Sequence, residues 1–133
     1  MRPFSLLLVF TLAAGCASTE PDPSVLADAM SEAALAEAAR QVQRCYRSPR
    51  VGSDGRQIVT RLHVRLNADG QIADLPQVVL QYGVTPANQA FAGRMAEAAI
   101  AAVVRCTPIR LPGSFYRDGL TEFDLTFSPL ARG

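Results

Sequence analysis
The chain has 133 residues and 14.2 kDa, with 13 basic and 12 acidic side chains, 49% apolar and 19% charged residues, and a formal net charge of +1. That length makes one small domain. The apolar fraction excludes a disordered chain, and the charge balance provides no broad positive field to attract nucleic acid.

The N-terminus reads as an export signal. Met1-Arg2-Pro3 gives a positive start, and the 11 residues from Phe4 to Ala14 are apolar and end in small side chains. As a helix this stretch spans about 16 Å, half of a ~30 Å hydrocarbon core, so it fits a signal-peptide core and not a membrane span. Leu12-Ala13-Ala14-Gly15-Cys16 resembles the lipobox of bacterial lipoproteins, with Ala13 where a larger aliphatic is usual. The resemblance implies removal of residues 1–15 and acylation of Cys16; ordinary secretion with cleavage near Ala17 is the alternative. Ala17 stands where an aspartate marks inner-membrane retention in enterobacterial lipoproteins. By that resemblance the expected place is the outer membrane, facing the periplasm. Three cysteines in an exported chain leave one odd thiol, and lipid on Cys16 accounts for it. Cys45 and Cys106 then pair, closing a loop of 62 residues counted inclusively, worth roughly 4 kcal/mol by the chain-entropy model.

Residues 16–23 are polar, carry Pro21 and Pro23, and read as a tether reaching about 25 Å. The domain proper is expected over 24–130. Ser24 is a candidate N-cap for a helix running from Val25 to about Arg47, with Leu26, Met30, Ala33, Leu35, Ala38, Val42 and Cys45 near helical spacing. Pro49 and Gly52 stop it. Gln57 to Asn67 alternates, Ile58, Thr60, Leu62, Val64 and Leu66 on one side and Arg61, His63 and Arg65 on the other, which predicts a strand with one wet face. Asn67-Ala68-Asp69-Gly70 is a turn. A second strand from about Ile72 to Tyr82 carries Val78, Leu80 and Tyr82 on one side, and Pro76 consigns it to a sheet edge. A second helix follows from Asn88 to Arg105 with Phe91, Met95, Ala98, Ala99, Ala102, Val103 and Cys106 on one face. Thr121 to Ser128 is the third strand, with Phe123, Leu125 and Phe127 inward and Glu122, Asp124 and Thr126 outward.

The expected fold is α+β: a three-stranded sheet in the order two, one, three, built on a split β-α-β unit, with two helices on the face that carries Leu62, Val64, Val78, Leu80, Phe123 and Phe127.

Several residues then combine: Cys45-Tyr46 leaving the first helix, the Asn67 to Gly70 turn, Arg105-Cys106-Thr107-Pro108, Leu111-Pro112, Tyr116, and the closing Phe127-Ser128-Pro129. Over roughly Ala34 to Leu130 this pattern resembles the C-terminal domain of TolA, in the TolA/TonB C-terminal superfamily. Tyr46, where tryptophan is common, and Gly119-Leu120, where a bulky aromatic is usual, depart from it. The resemblance implies a non-catalytic binding module whose partners are envelope proteins, such as a TolB-like β-propeller or outer-membrane pore proteins, or the translocation segments of bacteriocins and phage coat proteins. TolA itself has an inner-membrane helix and a long stalk, and neither is read here, so a lipid-tethered, stand-alone, monomeric adaptor is expected. A small lipoprotein that inhibits or pilots another envelope protein is the alternative.

Two surfaces are candidates for the partner. The third strand, Thr121, Glu122, Phe123, Asp124, Leu125, Thr126 and Phe127, has no internal proline and suits addition of an extended peptide to its edge. Arg40, Arg44 and Arg47 on the first helix, with Arg61, His63 and Arg65 on the first strand, form a candidate basic surface for acidic segments or lipid phosphates; seven arginines face one acid between Arg40 and Ala68. Nucleic acid is not expected as a partner of an exported chain. His63 is the single histidine, and between two arginines it is expected to resist protonation and to lack an orienting carboxylate. No catalytic residue, metal site or cofactor is read from the sequence.

Overall fold
The computed structural model of the chain describes Gly15 and residues 22–129; Cys16 and most of the tether lie outside the described residues. Helix α1 runs Pro23–Gln43, with proline at its first position, where the missing N–H costs nothing. It ends before Arg47: a turn in which Cys45 N–H donates to Val42 O (2.9 Å) and Tyr46 N–H to Gln43 O (3.2 Å) takes over. A single helical turn, α2 (Gly52–Gly55), precedes strand β1 (Val59–Asn67). Strand β2 is Gln77–Tyr82, α3 is Ala92–Cys106 after a 3₁₀ turn over Gln89–Phe91, and strand β3 is Leu120–Phe127.

The sheet order is β2-β1-β3, and β1 is antiparallel to both neighbours. The two outer strands are therefore parallel to each other with β1 between them, as a split β-α-β unit requires. The β1–β3 register runs without a break from Thr60 opposite Phe127 to Asn67 opposite Leu120. The link from β1 to β2 starts with Gly70 at φ +82°, a conformation that favours glycine, and Gly70 N–H donates to Asn67 O (2.9 Å). It continues through an isolated Leu66–Ile72 bridge, so β2 proper starts five residues later than Ile72.

Alternation places Leu62, Val64 and Leu66 of β1 with Phe123, Leu125 and Phe127 of β3 on one buried face. Ala38 and Val42 of α1 and Ala99, Ala102 and Val103 of α3 complete that core. The small alanines let the helices approach the sheet closely. Cys45 and Cys106 are joined, with Cα atoms 5.6 Å apart, which ties the turn after α1 to the last residue of α3. Strand β2 departs from expectation: Val78, on the helix side opposite Leu62, and Leu80, on the other side opposite Arg61, both stay outside the core and are 42% and 44% exposed. An irregularity in the ladder turns Leu80 over. Leu80 pairs with Arg61 and Val78 with Leu62, which leaves Val79 without an opposite residue and puts Leu80 on the wet side with Arg61. Gln81 points inward instead, its amide donating to Thr60 Oγ1 (3.1 Å) and to Ala92 O (2.9 Å).

Candidate functional site
Strand β3 is the last strand on its side of the sheet. Its inward residues Thr121, Phe123, Leu125 and Phe127 are buried and its outward residues Glu122, Asp124 and Thr126 exposed. A hairpin leads into it: Arg117 N–H donates to Leu120 O (2.7 Å) and Leu120 N–H to Arg117 O (2.9 Å), closed by Asp118 and Gly119 at φ +51° and +77°. Since Asn67 occupies the other side of Leu120, this hairpin takes the outer edge at the head of β3 only. From Thr121 to Phe127 the described residues place no strand outside β3. A cleft of about 360 Å³ opens at the head of this edge, walled by Phe115, Leu120 and Thr121 and by Arg65, Arg117 and Glu122.

The face beside that edge is ionic but not basic. Arg61 contacts Asp124 (3.1 Å), His63 Nδ1 lies 2.8 Å from Asp124 Oδ1 and Nε2 lies 3.4 Å from Glu122, and Arg65 meets Asp74 and lies 3.7 Å from Glu122. The β1–β3 register brings these together by setting His63 opposite Asp124 and Arg65 opposite Glu122. His63 therefore does have orienting carboxylates, contrary to expectation. The hydrogen bond to Asp124, helped by Glu122, holds its pKa above the ordinary 6.5, while partial desolvation works against them.

The expected basic surface is not one surface. Arg61, His63 and Arg65 sit on the sheet face opposite the helices and are compensated by three acids. Arg40 is on α1, which packs on the other face, and it bonds Glu37 (2.7 Å), whose carboxyl it holds below the usual range. Arg44 and Arg47 remain exposed beyond it. Two of the three compensating acids, Glu122 and Asp124, already read as outward on a strand next to Arg61–Arg65; Asp74 comes from the link before β2 and had no periodic signal. Among the described residues no group of three or more metal-ligating side chains occurs, and no helix is long and apolar enough to cross a membrane.

Sequence reasoning also missed Asn88, read only as a helix start. It is 1% exposed. Its Oδ1 accepts from Thr85 N–H (2.7 Å), and its Nδ2 donates to Asp54 O and Gly83 O (2.9 Å each), so one amide clasps α2 to the loop after β2. No family model, no curated protein and no solved structure matches this chain.

Proposed function
We propose that the protein is a non-catalytic binding module of the cell envelope, a TolA-like adaptor held to a membrane by lipid on Cys16, that captures partner proteins by adding an extended segment to the outer edge of β3. The observation that carries this reading is β3 itself: an edge strand with no internal proline, regular in its ladder with β1, and without a strand beyond it from Thr121 to Phe127. Such an edge offers main-chain groups for affinity, and alternate side-chain positions for selectivity. The other edge suits strand addition less well, because Pro76 and the irregularity at Val79 interrupt it. The cleft between Phe115 and Glu122 lies where an added strand would end, and can receive one of its side chains.

The test is photo-crosslinking in living cells from Thr126, an exposed residue of that edge, with mass spectrometry of the captured species. Capture of one envelope protein through an extended segment is the expected result. Capture of an exported hydrolase would move the assignment to an inhibitor. A folded, exported chain that captures nothing from Thr126 would remove the β3 reading.

A further inference from the structure
Between the segment that follows α1 and the residue Pro129 beyond β3 lies a cleft of about 550 Å³, within the size range of small-molecule sites. Arg50, Arg56 and Ser48 supply its polar lining, and Pro49, Val51 and Pro129 its apolar wall. The charge in it is of one sign. The cleft at the head of β3 sets Glu122 beside Arg65 and Arg117, and the one beside His63 includes Asp74, but no acid lines this one. Arg40, Arg61 and Arg65 are answered by Glu37, Asp124 and Asp74. Among the described residues neither Arg50 nor Arg56 has an ion pair or a side-chain hydrogen bond. Two cations lining one acid-free cleft repel each other, and an anion placed there is attracted by both.

The fold fixes where these two arginines start. Between them α2 turns the chain back, with Arg56 N–H donating to Gly52 O (3.4 Å) and Gln57 N–H to Asp54 O (3.2 Å). The buried Asn88 amide pins that turn through Asp54 O, and Gly55 lies so close to Val51 that a Cβ there would collide with it. Val51 in turn packs with Ile58 and Met95 in a second buried cluster.

We infer that this cleft binds a phosphate monoester, with Arg50 and Arg56 on the phosphate and Val51 and Pro129 against the carbon atoms of the ligand. A monoester carries a charge of about −1.5 to −2 at neutral pH, which two guanidinium groups match, and their planar forks suit its oxygens. Ser48 adds a hydroxyl donor: its Oγ lies 3.5 Å from Pro49 O, a long contact that yields to a better acceptor. A soluble metabolite and a lipid head group both present this chemistry. The site shares no residue with the β3 edge from Thr121 to Phe127, so it stands or falls apart from strand addition.

The test is NMR of the full chain in neutral detergent micelles, following the Arg50 and Arg56 Nε–H signals. The ligands added are glycerol 3-phosphate and, separately, phosphatidic acid, which carries the same head group on acyl chains. Saturating shifts at both arginines are expected, with a dissociation constant of about 1 mM or below. Arg50→Gln and Arg56→Gln, both at exposed positions, should each weaken binding by about tenfold, and Arg44→Gln should leave it unchanged. Saturation by glycerol 3-phosphate, with or without the lipid, identifies a free monoester as sufficient; saturation by phosphatidic acid alone identifies a lipid head group. Saturation by neither, equal affinity for succinate, or a loss in Arg44→Gln as large as in Arg56→Gln overturns the inference.

Discussion
The His63 imidazole lies between Asp124 and Glu122, and flanking arginines do not suppress its charge because both are themselves paired with acids. Its pKa is raised, with the Asp124 hydrogen bond the largest cause. A group whose pKa rises on folding stabilises the fold when protonated. That contribution is complete below the ordinary value of 6.5 and disappears as pH climbs through the raised value. His63 is partly exposed, so the effect is modest and belongs to the pH range above 6.5. Urea midpoints measured from acid to alkaline pH should fall across that window in the wild type, and the fall should be missing in His63→Gln. Proton NMR titration should show Asp124→Asn lowering the His63 pKa more than Glu122→Gln does; equal shifts would contradict the assignment of Asp124 as the main partner. Both carboxylates were legible as outward residues of the third strand, but the register that sets them opposite His63 depends on two segments some sixty residues apart in sequence. Asn88 was illegible for a related reason, since a single buried amide has no period and its partners Asp54 and Gly83 belong to separate loops.

At the scale of elements, alternation and helical spacing located β1, β3, α1 and α3, because each buries one regular face. The same rule failed for β2: alternation shows that a strand has two sides, not that anything covers either one. The helices meet the core of β1 and β3, and an edge strand with one unopposed residue is left exposed. Among the described residues, α1 is fastened just past its C-terminal end, where the Cys45–Cys106 bond joins it to α3 and Arg105 donates to Cys45 O (3.0 Å). Replacing both cysteines by serine releases a loop of 62 residues and should cost about 4 kcal/mol in urea unfolding. That is a large share of the ~5–15 kcal/mol of a typical domain, so the reduced protein should melt at markedly lower temperature. A loss below about 1 kcal/mol would show that α1 is retained by its packing on the core and by the Gln41–Arg110 hydrogen bonds without the disulfide.

For the whole molecule, the arrangement of charge decides how a partner is recognised. Seven arginines against one acid between Arg40 and Ala68 describe a basic segment, yet folding brings Glu122 and Asp124 from β3 and Asp74 from the β2 link onto Arg61, His63 and Arg65. The face beside the β3 edge is thus close to neutral, as is the chain at +1. A partner segment added to β3 would gain affinity from main-chain hydrogen bonds and from the side chains it buries, with little net Coulombic attraction to be screened. Affinity for a partner captured from Thr126 should then change less than about threefold as salt is raised from about 0.05 M to about 0.5 M. A basic docking surface would instead lose affinity steeply over that range, because exposed arginines at partner contacts exchange freely with counterions. If titration calorimetry showed such a decline, binding would use exposed arginines, of which Arg44 and Arg47 are the pair left from the expected basic surface. A basic docking surface that includes this pair would lose part of its salt dependence in Arg44→Gln with Arg47→Gln, whereas the β3 reading expects these substitutions to leave affinity unchanged.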